Sequence, residues 1–504
     1  MSTALLGFTA PSIEFTDVLP LLIWLGTVCG VLLLGSLAPR ALQGRYALVT
    51  SVASIVVIAQ QTVKWDDLGR EMSGSSLAGA VAVDRFSVLA TIVVAVALTL
   101  VAPVLHDHLV RRDEDGPELY AMFLTAAMGA QIMVSANDLI VLFLGLETLS
   151  LSLYVLAASN RRNTRSQEAG LKYFVLGGFS SAFFLYGIAM IYGSTGSTNL
   201  STIAGRLGGS VSLANDDALL LVGVGLLLVG LAFKVSAVPF HSWAPDVYQG
   251  APSPVTAFMA SAGKVAAFAA LLRVLTTALD TRVDDWRPVV WLLALLTVSV
   301  GSVMAVVQTD VKRMLAFSSV SHAGFVLVGV EAASHGGKGL SSSMTYLLLY
   351  TVLVIGSFSV VTVVAGGSDD ATSLTDFRGL ARTRPLLALG FTVLLLAQAG
   401  VPLTGGFIAK FGVINSAVEA ESYVLAVAAM VAAVVAAYLY LRIIVSMWLD
   451  DPGDAAGPTV PRATGLVITA AVLFTLFVGV YPGWLLDAAD LVDVLRATAA
   501  GTQG

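Results

Sequence analysis

The sequence has 504 residues, of which 57% are hydrophobic and 12% charged, against roughly 25% charged in ordinary soluble domains. That balance excludes a soluble globular fold, and a net charge of −6 without a long basic block gives no support to nucleic-acid binding. The single cysteine, Cys29, rules out internal disulfides and, by count, any cysteine-ligated iron–sulfur or structural zinc centre.

The first cationic residue is Arg40, so the N-terminus lacks the basic stretch of a cleavable signal peptide and reads as mature from Met1. Apolar runs then follow almost without pause, each long enough to cross a hydrocarbon core of about 30 Å, which takes roughly 20 helical residues. Single spans are predicted at 18–37, 46–63, 86–105, 119–136, 139–158 and 173–192, and later at 254–275, 288–307, 314–330, 344–364, 423–448 and 466–486. Two further segments, 218–249 and 385–418, would make straight helices of about 45 to 50 Å. Each carries a proline near its middle, Pro239 and Pro402. Proline removes a helical hydrogen bond and clashes with the preceding turn, so both segments should be broken. The prediction is an all-α polytopic membrane protein of about fourteen transmembrane helices.

The two breaks match each other in sequence. Ser236-Ala237-Val238-Pro239-Phe240 parallels Ala399-Gly400-Val401-Pro402-Leu403, each after a leucine-rich run. Such pairing suggests a duplicated five-helix unit, because broken helices at corresponding places in two repeats mark midplane ion paths. Two unrelated proline kinks are the alternative. Loop charge predicts orientation: odd-numbered connections hold about 15 Lys and Arg and the even-numbered ones with the tail about 9, which puts the odd loops in the cytoplasm and both termini outside. Arg273, Arg282 and Arg287 count against that bias.

Few charges interrupt the spans. Glu147 and Lys264 each sit about ten residues into a span, Lys234 precedes the first break and Lys410 follows the second. A charge at the bilayer centre costs about 2.5 to 3.5 kcal/mol on insertion scales, so such residues mark ion or proton paths. Lysine suits a relay, since in general burial favours the neutral amine and a nearby carboxylate the ammonium. Glu147 and Lys234 also fit a purely structural buried pair, and Lys410 a side chain that snorkels to the interface. His322 falls at similar depth, where imidazole serves equally as a proton carrier or a hydrogen-bonded packing group. Asp246 reads best as a cap or turn residue.

The run FKVSAVPFHSWAPDVYQGAP at 233–252 resembles the signature of the antiporter-like membrane subunits of respiratory complex I. DVKRMLAFSS at 310–319 and GVPLTGGF at 400–407 resemble it too. The resemblance implies two inverted five-helix repeats, each with a broken helix, at 116–280 and 281–450, with three helices at 1–115 and a last helix with a short tail at 451–504. It makes Glu147, Lys234, Lys264 and Lys410 similar to the family's proton-relay positions, with His322 between them. It implies a subunit of a translocating NADH:quinone oxidoreductase that moves protons as electrons pass from NADH to quinone. NADH, FMN, iron–sulfur clusters and quinone are then expected in partner subunits, and no cofactor in this chain, which carries no glycine-rich dinucleotide motif. The expected partners are the other membrane subunits, the peripheral redox arm and the lipid bilayer, and the expected place is a bacterial inner (cytoplasmic) membrane. The short tail and the lysine at 410 point to the family member nearest the redox arm. A subunit of a multisubunit cation/proton antiporter and a standalone secondary carrier are the rival readings.

Overall fold

The computed structural model describes residues 14–37, 44–68, 74–208, 217–452 and 457–492. Arg40 and both chain termini lie outside the described residues. Inside lipid only a helix or a closed barrel pairs every backbone N–H and C=O, and the long apolar runs here choose helix. The elements are α1 (Phe15–Leu37), α2 (Tyr46–Asp67), a hairpin β1 (Gly74–Ser76) and β2 (Val81–Val83), α3 (Arg85–Val110), α4 (Pro117–Ser135), α5 (Leu139–Ala157) and α6 (Thr164–Thr195). Next come α7 (Leu200–Gly208), α8 (Asp217–Val235), α9 (Trp243–Gly250), α10 (Ser253–Ala278), α11 (Asp280–Val306), α12 (Val311–His335) and α13 (Gly339–Ala365). The chain closes with α14 (Pro385–Ala399), α15 (Gly405–Glu419), α16 (Tyr423–Leu449), α17 (Arg462–Val480) and α18 (Gly483–Asp490).

Among the described residues, thirteen helices are long and apolar enough to cross a membrane, and α14 with α15 supplies a fourteenth, broken crossing. Several boundaries differ from the sequence reading, two of them instructively. α6 starts at Thr164 rather than 173, because the Asn163 side chain accepts from the Arg165 N–H at 2.9 Å and caps its first turn. Its opening turns are polar, so hydropathy hides them. The last span ends at Val480, before Pro482, and residues 483–490 form the separate α18.

Both predicted breaks are present, and both half-helices end in the same way. The Ala237 N–H reaches the Ala232 carbonyl at 2.8 Å and the Ser236 N–H that of Phe233 at 3.0 Å, with Ser236 at φ +63°. In the second break Val401 reaches Leu396 at 3.1 Å and Gly400 reaches Ala397 at 3.0 Å, with Gly400 at φ +92°. This paired bonding satisfies the carbonyls that a helix end leaves free. It pairs Ser236 with Gly400, so the true register sets Pro239 against Leu403 and shifts the sequence match by one residue. A Cβ on Gly406 would collide with the Ala397 carbonyl oxygen, which accounts for glycine where α15 leaves the break.

A second correspondence lies at the starts of α5 and α12. Asp138 caps α5 through the Ile140 N–H at 2.8 Å and accepts from the Thr198 hydroxyl at 2.7 Å, while Leu139 N–H bonds Thr198 O at 2.9 Å. Asp310 caps α12 through the Arg313 N–H at 2.9 Å and accepts from Thr372 at 2.5 Å, while Val311 N–H bonds Thr372 O at 2.7 Å. Four crossings, α6, α8, α10 and α11, lie between α5 and α12, so the two run in opposite directions, as inverted repeats require. α10 and α12 are wholly buried and α13 nearly so, whereas α1, α6 and α17 are mostly outward-facing. The charged residues of interest therefore sit on the central helices.

Candidate functional site

Lys234 ends α8, one turn before the first break, and is 6% exposed. Its ammonium donates to Ser150 Oγ at 2.6 Å and Tyr173 Oη at 3.2 Å. Tyr173 stacks on Trp243 with ring centres 4.5 Å apart, and the Trp243 indole N–H binds the freed Phe233 carbonyl at 2.9 Å. The break thus orients the aromatic wall that holds the lysine.

Glu147 lies on α5 one turn before Ser150. It is half-buried rather than deep in the bundle, and it accepts from the Ser181 hydroxyl of α6. No direct ion pair joins it to Lys234 among the described residues, which counts against the alternative of a purely structural buried pair. Its charge still acts on Lys234 across this short gap. Glu147→Gln keeps the Ser181 bond and removes the charge, so proton pumping and quinone reduction are both expected to fall several-fold. Normal turnover and a normal proton-to-electron ratio in that variant would end the tuning role.

Lys264 follows a π-helical turn, Met259–Gly263, in the middle of α10. Such turns widen a helix locally and recur at functional positions. The Lys264 ammonium donates to the Ser319 carbonyl of α12, one turn before His322. His322 is 5% exposed, with Nδ1 2.6 Å from Tyr346 Oη and Nε2 3.1 Å from Tyr440 Oη. Lys264 reaches α12 at Ser319 and Lys410 reaches it at Phe325, one turn to either side of His322 on the same helix. Lys410 on α15 donates to the Ala399 carbonyl at 3.0 Å, a group released by the second break, and stands 4.8 Å from the Phe325 ring centre. Lys264, His322 and Lys410 therefore meet along α12, while Lys234 is held against α5 and α6. Hydroxyls and freed carbonyls flank them.

Several charged groups escaped the sequence reading or were misplaced by it. Lys312, quoted there only within the 310–319 run, is buried and binds Asp369 at 2.9 Å and the Ala251 carbonyl at 2.6 Å. Burial pushes the Asp369 carboxyl up, but Lys312, His108 and the Ser253 bonds outweigh it and hold the group below the usual carboxylate range. Asp246 is no simple cap: it bridges Lys172 of α6 and Arg313 of α12, both at 2.8 Å. Arg287 pairs with the fully buried Glu331 at 2.9 Å, and Arg282 with Asp217.

Arg273, counted as a loop cation, is 2% exposed and grips Asp84 through two bonds of 2.7 and 2.9 Å. Burial raises the Asp84 carboxyl, yet Arg273 overcomes this and leaves it lowered. Removing one partner of such a pair costs about 3 to 5 kcal/mol, so Arg273→Ala should lower the unfolding midpoint markedly. The sign with pH follows. A depressed carboxyl stabilises the fold above its unfolded value of about 3.9 and loses that contribution as pH falls through the folded value. The gap between native and Arg273→Ala protein should therefore narrow on acidification, as thermal unfolding across pH would show.

Residues 136–436 match the family model described as NADH:quinone oxidoreductase/Mrp antiporter, TM. NADH-quinone oxidoreductase subunit N 3 of Streptomyces griseus is 41% identical over 97% of this chain and 95% of its own. The chain belongs to the NADH-quinone oxidoreductase subunit N family. Subunit N of Mycobacterium bovis is 47% identical over 74% of this chain and 70% of its own. A chain of respiratory complex I from Thermus thermophilus superposes with a TM-score of 0.79 at 32% identity, over 93% of this chain and 99% of that one. A chain of the Mrp complex from Dietzia sp. shares the fold at TM-score 0.86 but only 21% identity, over 98% and 100% of the two chains. In the subunit N family reading, the matched segment contains all five predicted site residues. It also contains both breaks.

Proposed function

We propose that this chain translocates protons as the subunit N component of a bacterial NADH-quinone oxidoreductase, through Glu147, Lys234, Lys264, His322 and Lys410. The observation that carries the reading is the set of buried ionisable groups, with Lys264, His322 and Lys410 meeting along α12 and with Lys234 and Lys410 each beside a broken helix. Amine and imidazole groups can release and rebind protons, and the freed carbonyls beside them attract water that exchanges those protons. Lys234 would receive, Lys264 and His322 would pass on, and Lys410 would deliver. Repeats at 116–280 and 281–450, flanked by 1–115 and 451–504, would carry one half-path each.

FMN, iron–sulfur clusters, and the NADH and quinone sites would belong to partner subunits, and this chain would contribute no redox centre. Subunits co-purifying after mild solubilisation test the assignment: NADH-oxidising and quinone-binding partners are expected. A set of antiporter subunits without redox activity would favour the second reading, which rests on the shared fold with the Mrp chain. In the cytoplasmic membrane the loop at 161–165 should face the cytoplasm and both termini the outside. A cysteine at position 163 should then resist impermeant reagents applied from outside, and labelling from outside alone would reverse the topology.

A further inference from the structure

A cleft of 590 Å³ opens between α2, α3, α13, α17 and α18, within the size range of about 300 to 1,000 Å³ typical of ligand sites. We propose that it holds one acyl chain of a bilayer phospholipid. Its chemistry excludes polar ligands. Apart from the indole N–H groups of Trp65 and Trp484 at its mouth, Thr62 is the one polar side chain among the described lining residues, and its hydroxyl is already spent on the Ile58 carbonyl of its own helix at 2.9 Å. An ion, a sugar, a nucleotide or an extended peptide would leave its polar groups unpaired there, at a cost of kilocalories per group.

The dimensions fit a single leaflet. The α3 wall runs from Leu89 to Leu100, which at 1.5 Å per residue is about 16 Å, or half of a hydrocarbon core of about 30 Å. The two ends of the cleft differ. Trp65, near the end of α2, and Trp484, at the start of α18, lie at the same end as the first turn of α3, where indoles prefer the level of lipid headgroups. The Arg85 guanidinium stands 5.4 Å over the Trp65 ring, and its Nε has no hydrogen-bond partner. A headgroup phosphate at that mouth would meet a cation, while the chain below meets hydrocarbon. On its other side the cleft touches Leu348 and Val352 of α13, the helix whose Tyr346 binds His322. An acyl chain would thus buttress the helix that positions the imidazole.

The proposal depends on the membrane location and not on the proton path, so each can fail alone. The test uses the intact complex exchanged into phosphatidylethanolamine that carries a diazirine in its acyl chain, with cross-links mapped by mass spectrometry. Label is expected on cleft residues of α3 and α13 and should fall to background in Ala470→Trp, whose indole enters from the lipid-facing side. Label on the outward face of α16 should stay unchanged. If Ala470→Trp fails to assemble, Ala488→Trp closes the mouth instead. Undiminished cleft labelling in an assembled variant would overturn the proposal. So would a photoreactive residue at 488 that captures residues 493–504 or a neighbouring subunit in place of lipid.

Discussion

Lys264→Ala is expected to abolish coupled turnover, with NADH-driven quinone reduction and proton pumping falling together by about 10²-fold or more, the scale of a lost acid–base group. The lysine is 3% exposed in a wholly buried helix, and its ammonium touches α12 one turn from His322. Without it the amine that reaches α12 beside His322 is lost. Alanine also leaves a cavity, so Lys264→Met, which nearly conserves volume, separates chemistry from packing. If Lys264 only supports the fold, methionine restores turnover. If it carries protons, methionine restores stability and leaves the complex inactive. Quinone reductase assays on both purified variants, beside their unfolding midpoints, decide between these.

Lys410→Arg is expected to assemble and yet to lose pumping. Arginine keeps the charge, can donate to the Ala399 carbonyl and can lie over Phe325, so every contact the lysine makes in the structure remains available. What arginine cannot do is give up its proton in the working range. The contact with Ala399 is the one that a mere anchor of the broken helix would make, which is why the substitution discriminates. Full pumping by Lys410→Arg would leave the relay role untenable and make Lys410 an anchor.

The fold was legible in the sequence wherever a single physical constraint dominated. Hydrocarbon thickness set the spans, and prolines 239 and 402 located the breaks. The register between the breaks was off by one because the helices end on the left-handed residues Ser236 and Gly400, and the prolines that follow are not equivalent. The lysine positions were legible because burying a charge is costly. Their partners were not: Ser150, Tyr173, Ser319 and Tyr440 come from helices far away in sequence. Arg273 and Asp84, separated by 189 residues, form a buried pair that no local pattern announces. The partial burial of Glu147 was not legible either, because position along a helix gives depth in the membrane but not which face turns inward.

The central claim is that protons cross through this chain while electrons pass elsewhere in the assembled enzyme. The most direct measurement is proton translocation and NADH oxidation recorded together in vesicles containing the reconstituted complex with native chain, Lys264→Met or Lys410→Arg. Both lysine variants are expected to lose pumping and slow NADH oxidation while the complex stays assembled. Native rates with a native number of protons per electron in both variants would contradict it.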